Sequence, residues 1–171
     1  MKARKGFENM FKHVKEKELV LLGKYTLLWN AFERKFFNKS CCASAINKYV
    51  SNMVPTDKIY YWSERLKSEL IKKSGTSQRA IEKLNFQIKI LRKGKESAEA
   101  NLKKKCTEWL NDDSFNLIAV FGALYRIRCN TFHGNKEYLS FAEQYDLFVI
   151  IINLLEAFLE SVNANLDMDR I

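Results

Sequence analysis

The apolar residues of this chain recur at the spacing of an α-helix, and this spacing limits the folds open to it more than any other feature. Between residues 17 and 37, apolar and aromatic side chains step by four, three, four and four residues: Leu21, Tyr25, Leu28, Phe32 and Phe36. Residues spaced in this way share one face of a helix of 3.6 residues per turn. The segment therefore predicts a core helix, whose apolar face is widened by Leu22 and Trp29.

Six further segments are predicted to be helical, and the one that begins at residue 77 has a narrow apolar stripe. There Ile81, Leu84, Ile88 and Leu91 step by three, four and three residues before Gly94 offers a stop. Polar residues that can cap a helix precede three of the segments: Thr56 or Asp57, then Ser77, then Asp112, Asp113 and Ser114. The predicted helices cover 41–52, 58–73, 77–94, 95–110, 114–129 and 140–163.

The composition agrees with this pattern, because 171 residues contain only six glycines and one proline. We expect an all-α fold, and the length suits a single domain over residues 1–171. Residues 77–110 are expected to form a basic helical hairpin with a narrow apolar seam. The helix over 140–163 is apolar on nearly all sides, which places it either at the centre of a bundle or partly in a dimer interface.

Positive charge is concentrated in one part of the chain. Residues 65–105 hold thirteen lysines and arginines against four glutamates, a difference of +9 that equals the net charge of the whole chain. A positive surface attracts polyanions through counterion release, and nucleic acid is the commonest polyanion in cytoplasm. Lys103, Lys104 and Lys105 are therefore expected to contact RNA. The alternative is a lysine-rich helix face that is simply solvated.

Several features that define other classes of protein are absent from the sequence. The charged amino-terminal stretch lacks the apolar core of a signal peptide, and the longest apolar run, LFVIII at 147–152, is far shorter than the ~18 residues of a membrane span. The four cysteines form no C-x-x-C pair and are expected to be reduced thiols. We expect a cytoplasmic protein with no membrane partner, no metal site and no cofactor.

The stretch LYRIRCNTFHGNK, residues 124–136, holds the clearest candidate for a site. Arg128 ends the apolar stripe of the helix over 114–129, and His133, one of two histidines in the chain, follows five residues later. Arginine stays charged at any working pH, so at the edge of a core it needs carboxylate, carbonyl or phosphate partners. Arg128 could instead extend its charged end to the surface, and Arg126 could be the cation that the dipole at the helix C-terminus favours. A side chain in the loop NTFHGN can lie beside the last helical turn, so Arg128 and His133 could share one pocket.

This segment resembles the R-x4-6-H motif of HEPN-domain proteins, small all-α domains that commonly dimerise and in many cases are metal-independent ribonucleases. YRIRCNTFHG has the hydrophobic helix that leads to the arginine, a phenylalanine before the histidine and a glycine after it. LLWNAFERKFF also resembles the aromatic-rich first helix of these domains. The resemblance covers the first helix and 114–160, while 56–110 is only compatible with it. It implies a HEPN-like helical bundle in which Arg128 and His133 are the motif pair.

Two positions depart from the pattern of the family. Members often carry Asn, Asp or His directly after the arginine, whereas this chain has Cys129 there and Asn130 one place later. Asn130 is therefore the candidate for the polar helper residue. Members paired with a nucleotidyltransferase carry tyrosine two residues after the histidine. Here that position is Asn135, which argues against regulation by tyrosine modification.

The residue types also suit RNA cleavage without a metal. Histidine can deprotonate the ribose 2′-hydroxyl, and arginine can stabilise the charge on the phosphate. Glu137 is the one carboxylate close to residues 124–136, which disfavours a Mg²⁺ site. Lys136 and Arg126 complete the expected substrate contacts. One histidine leaves the 5′-oxygen without a general acid, and the resemblance implies a composite homodimer site that supplies a second His133.

The leading hypothesis is a HEPN-like endoribonuclease of toxin or anti-phage type that acts on RNA, with an antitoxin or regulatory partner as a further expectation. The main alternative is a catalytically silent HEPN-like module that binds RNA, a nucleotide or a partner protein. A third is a basic helical adaptor unrelated to the family. Cleavage in EDTA separates the first from the other two, and convergence of Arg128 and His133 across a dimer separates the second from the third.

Overall fold

The segments that carry apolar stripes form helices, and these helices pack against one another. The computed structural model describes residues 15–38, 40–88, 97–112, 114–132 and 143–168. Within these ranges all regular secondary structure is helical, so the prediction of an all-α fold is confirmed. The elements are α1 (Glu16–Phe37), α2 (Ala43–Tyr49) with a 3-10 turn after it (Val50–Asn52), α3 (Asp57–Ser74), α4 (Ser77–Leu84), α5 (Ala98–Asn111), α6 (Leu117–Phe132) and α7 (Tyr145–Met168).

Helix α7 is buried along much of its length. It packs against α1 and against α3. Between Leu147 and Val162 only Glu160 is exposed. The helix is therefore largely buried within the fold, as the first of the two positions predicted for it requires.

Aromatic side chains from three helices meet in the core. Phe32 of α1, Phe121 of α6 and Phe158 of α7 are fully buried. The ring centroid of Phe121 lies 5.2 Å from that of Phe32 and 4.6 Å from that of Phe158. Burying one such side chain contributes about 1.5–3 kcal/mol, so this cluster is a main determinant of how the three helices cross.

Helices α5 and α6 run antiparallel and approach each other closely at Gly122. A Cβ atom added to Gly122 would lie 3.2 Å from Sγ of Cys106 and 3.5 Å from a methyl group of Leu102. The Cys106 thiol donates a hydrogen bond to the carbonyl oxygen of Ala119 at 3.2 Å. A larger residue at this position would have to displace the Cys106 side chain, so glycine suits the short distance between the helices.

Capping side chains set the starts of α3 and α4. Thr56 Oγ1 accepts from the backbone N–H of Ile59 at 3.4 Å, which confirms one of the two caps predicted for α3. The cap of α4 is Thr76, whose Oγ1 accepts from the N–H of Arg79 at 3.2 Å. The prediction of Ser77 for this role was wrong, because the Ser77 hydroxyl donates to a carbonyl at the end of α5.

The start of α6 also differs from the prediction. The helix begins at Leu117 rather than 114, and Asn116 Oδ1 accepts from the N–H of Ala119 at 3.1 Å. Asp112 instead ends α5, where its N–H donates to the carbonyl of Glu108 at 2.9 Å. Asparagine is as good a cap as aspartate, so the sequence offered two equivalent starting points.

Helix α4 ends at Leu84, well before the predicted stop at Gly94. Asn85 has a left-handed backbone with φ 53°, residues 85–88 are not helical, and Ile88 is 47% exposed. Extension of the helix through Ile88 was therefore wrong, although α4 and α5 do pack together as the hairpin prediction requires. A side chain of α6, that of Arg126, donates hydrogen bonds to the carbonyl groups at this end of α4. Leu91 and Gly94 lie outside the described residues.

The four cysteines are free thiols. Cys41 and Cys106 are buried, Cys42 is exposed and Cys129 is half-buried. Burial raises the pKa of the Cys41 and Cys106 thiols far above the ordinary value. We expect Cys42 to react fastest with alkylating reagents.

No helix within the described ranges is both long enough and apolar enough to span a lipid bilayer.

Candidate functional site

The last two turns of α6 carry three of the residues predicted for the site, Arg126, Arg128 and Asn130. His133 and Lys136 lie outside the described residues. Each residue turns the helix by about 100°, so 126 and 130 share one face while 128 lies on the nearly opposite one. The predicted residues therefore fall into two groups.

Arg126 faces α4 and α5 and is only 4% exposed. Its Nε donates to the carbonyl of Leu84 at 3.1 Å, and its Nη2 donates to the carbonyl of Asn85. Its Nη1 lies 3.5 Å from Glu99 Oε1 of α5. The end of a helix leaves carbonyls without partners in its own backbone, and the fixed donors of a guanidinium suit them. Arg126 thus joins three helices through hydrogen bonds.

Asn130 lies next to Arg126. Its Nδ2 donates to the carbonyls of Lys83 and Leu84, both at 3.1 Å, and its Oδ1 is 3.5 Å from Nη2 of Arg126. The side-chain amide therefore binds the last turn of α4. The structure brings the predicted helper residue to Arg126 rather than to Arg128.

Arg128 is half-buried and lies near Tyr25 of α1 and near Cys41, two residues before α2. Burial raises the pKa of the Tyr25 hydroxyl and of the Cys41 thiol, and the positive charge of Arg128 opposes that rise in both groups. The carboxylate of Glu33 adds to the rise, and its Oε1 accepts the backbone N–H of Cys41 at 3.0 Å. We call Arg128, Glu33, Tyr25, Cys41 and Cys129 the Arg128 cluster. The cluster combines one guanidinium and one carboxylate with a buried phenol and two thiols.

Tyr125 and Cys129 lie between the two faces of α6. Burial raises the pKa of the Tyr125 hydroxyl, and the neighbouring Cys129 and Glu99 raise it further. The Arg126 guanidinium is 5.7 Å from the ring centre of Tyr125. This tyrosine therefore connects the Arg128 cluster to the buried contacts of Arg126.

The predicted lysines lie on another side of the molecule. Lys103 and Lys104 are exposed on α5, and Lys105 is half-buried. Residues of the same helix that face α6 pack at Gly122, on the side of α6 away from Arg128. The structure does not bring these lysines into one pocket with Arg128.

A cavity of about 210 Å³ lies beside Asn130, between the ends of α3, α4 and α6 and the start of α7. Two lysines line it. Lys83 Nζ donates to the carbonyl of Lys73 at 2.8 Å, and Lys73 Nζ donates to the carbonyl of Glu143. Both cations thus bind backbone carbonyls of the protein.

Sequence reasoning did not identify Glu33, Tyr25 and Cys41 as neighbours of Arg128. One signal for Glu33 exists, since it is a carboxylate within the aromatic run LLWNAFERKFF. An arginine at the edge of a core requires an acceptor, and a carboxylate on a core helix is a suitable one. Local sequence patterns do not show which two helices pack together. Tyr25 and Cys41 therefore could not be identified as neighbours of Arg128.

Comparisons of the chain with protein-family models, with curated proteins and with solved structures found no match. Within the part of the chain that the structure describes, no three His, Cys, Asp or Glu side chains are grouped as in a metal site. Fold and site together define an all-α protein with a half-buried arginine near the end of a core helix.

Proposed function

We propose that this protein is a HEPN-like endoribonuclease of toxin or anti-phage defence type, cytoplasmic, and that it cleaves RNA without a metal. The position of Arg128 carries the proposal: it is half-buried near the end of α6, close to polar groups of α1 and to Cys41, five residues before His133. A guanidinium in a fixed, partly desolvated place is suited to binding a phosphate. The HEPN-like bundle and the biological role rest on the resemblance of YRIRCNTFHG to the family motif.

The proposed reaction is an intramolecular transfer at phosphorus. His133 takes the proton of the 2′-hydroxyl, and the 2′-oxygen attacks phosphorus while Arg128 donates to the non-bridging oxygens. The bond from phosphorus to the 5′-oxygen breaks, and a proton from a second His133 neutralises the leaving oxygen. This requires a homodimer whose two sites combine. The products are a 2′,3′-cyclic phosphate and a 5′-hydroxyl.

Arg126 and Asn130 have a different role in this proposal. Their donors bind the carbonyls of residues 83–85, so they hold the last turns of α6 and thereby position Arg128. Lys136 and the exposed Lys103 and Lys104, with Lys105, contribute to RNA binding. The division separates groups that act on the phosphate from groups that fix the helix.

The test is cleavage of RNA in EDTA by the unmodified chain and three variants. His133→Ala should abolish cleavage with an unchanged thermal midpoint. Arg128→Lys should lower cleavage by about 10²–10³, because an ammonium lacks the bidentate geometry of a guanidinium. The matched control Arg79→Lys changes an exposed arginine of α4 and should cleave normally.

Undiminished cleavage by His133→Ala would refute the assigned base, and a requirement for Mg²⁺ would refute the mechanism. If the unmodified chain binds RNA without cleaving it, the protein belongs to the class of catalytically silent binding modules. Detection of the cyclic phosphate by mass spectrometry identifies the reaction independently of its rate.

A further inference from the structure

One face of α1 points away from the rest of the molecule. Val20 is 66% exposed and Leu27 is 73% exposed, while Tyr25 and Phe32 on the inner side are fully buried. The outer face is made of residues that step by three or four and are all exposed: Glu16, Val20, Gly23, Lys24, Leu27, Ala31, Arg34 and Asn38. Two large apolar side chains thus lie in water in the middle of a 22-residue helix, with a glycine between them.

We propose that this outer face of α1 is a self-association surface on which the α1 helix of a second copy packs antiparallel. A two-fold axis at the level of residue 25 relates the copies. A residue on one side of position 25 in one copy therefore lies opposite the residue that is equally many positions away on the other side in the second copy. Leu27 of each copy then lies on Gly23 of the other, and Val20 lies near Ala31. A Cβ atom added to Gly23 would have no neighbour within 4 Å, so there is open space for a leucine side chain.

The charges at the two ends of α1 favour the same arrangement. Glu16 lies in the first turn and Arg34 in the last, at equal distances from residue 25. The antiparallel pair therefore brings Glu16 of each copy beside Arg34 of the other, whereas a parallel pair would bring like charges together. Lys24, in the middle of the face, pairs with Glu156 of α7 at 2.8 Å. This contact draws it away from the second copy.

Size and charge together distinguish this surface from ordinary exposed apolar residues. Single exposed leucines and valines are common, but a glycine at the matching position and opposite charges at both ends are separate requirements of a two-fold pair. A helix of 22 residues is about 33 Å long, and one helix pair buries less area than the ~800 Å² per partner of a stable interface. The association is therefore expected to be weak and concentration-dependent.

This inference goes beyond the proposed function and does not depend on it. Tyr25, which lies near Arg128, is on the inner side of α1, whereas Val20 and Leu27 are on the outer side. The Arg128 clusters of two copies joined in this way are separated by both α1 helices. A composite RNA site would require a different contact between copies.

Sedimentation equilibrium over a wide concentration range tests the surface. The average mass of the unmodified chain should rise with concentration, and Leu27→Asp should weaken association by about tenfold or more, which corresponds to ~1.4 kcal/mol. The matched control Val54→Asp, at a site that is 87% exposed outside α1, should behave like the unmodified chain. Circular dichroism checks that each variant is folded.

A charge exchange provides a second measurement that does not depend on loss of an apolar group. Glu16→Arg and Arg34→Glu should each weaken association, and the double variant should restore it, because the pair is re-formed with reversed charge. A chain that stays monomeric at all concentrations, or a Leu27→Asp variant that associates like the unmodified chain, would overturn the inference. RNA cleavage by the unmodified chain is measured in parallel, because absence of cleavage in a chain that associates as expected would bear on the proposed function alone.

Discussion

Replacing Arg126 by methionine should destabilise the protein far more than replacing an exposed arginine. Methionine keeps much of the aliphatic volume against Phe86 and Tyr125, whose ring centres lie 5.9 and 5.7 Å from the guanidinium carbon. It removes the hydrogen bonds to the carbonyls of Leu84 and Asn85 and the ion pair with Glu99. The loss is therefore mainly one of polar contacts.

The magnitude follows from what remains after the substitution. Two hydrogen bonds from a charged donor are worth about 1.5–3 kcal/mol each. The carbonyl of Leu84 keeps Asn130 Nδ2 as a donor and that of Asn85 keeps Gln87 Nε2, so neither is left unsatisfied. Glu99, whose side chain is 15% exposed, loses its cation. We expect the free energy of unfolding to fall by about 3 kcal/mol, which is near the lower limit of the sum for the two hydrogen bonds. For a chain of this size, this corresponds to a fall of ~6–12 °C in Tm.

Urea denaturation followed by circular dichroism measures this loss directly. Arg79→Met is the matched control, since Arg79 is exposed on α4, and its effect should stay within ~0.5 kcal/mol. An Arg126→Met midpoint indistinguishable from that of the control would refute the assignment of Arg126 as a buried structural contact. Its guanidinium would then be available for substrate.

Three other properties can be tested in the same way. Replacing Lys103, Lys104 and Lys105 with glutamine should lower the slope of log K against log[salt] for single-stranded RNA by up to about two units, since each phosphate contact contributes ~0.7; an unchanged slope would identify a solvated helix face. Gly122→Val should lower the free energy of unfolding by ~1–3 kcal/mol by overpacking against Cys106, whereas Gly23→Ala, measured on dilute protein, should be neutral or stabilising. Equal effects of the two substitutions would contradict the close approach of α5 and α6. Burial raises the pKa of Tyr25, so the folded chain holds that proton more tightly than the unfolded one, and stability should be full below about pH 10 and fall above it. A Tyr25→Phe variant with the same alkaline decline in Tm would assign that decline to other groups.

Helix boundaries could be predicted where the signals are local. The predicted and observed ranges of α1 and α3 differ by one residue at most at each end, because the apolar period of α1 and the cap at Thr56 before α3 are local signals. The end of α4 could not be predicted in this way. Its apolar period continues past Leu84, but Asn85 turns left-handed and Arg126, some forty residues later, binds the last carbonyls. A contact over that distance overrides the local pattern.

The candidate site was predictable only in part for a related reason. The position of Arg128 at the end of an apolar stripe identified it as a charge at the edge of the core. Arg126 and Asn130 were predicted to act beside it, yet helix geometry turns these residues away from Arg128 and toward α4. Glu33 and Tyr25 approach Arg128 because of how α1 and α6 pack, and the local patterns of the sequence do not predict which helices pack together.

The dependence of α4 on α6 also limits which pieces of this protein can be moved elsewhere. Leu84 and Asn85 receive their terminal hydrogen bonds from side chains of Arg126 and Asn130, so the length of α4 is determined by a different helix. A peptide of residues 77–88, or a graft of that segment into another scaffold, would carry the apolar residues without the groups that end the helix. For transplantation, α4 and the last turns of α6 form one inseparable unit.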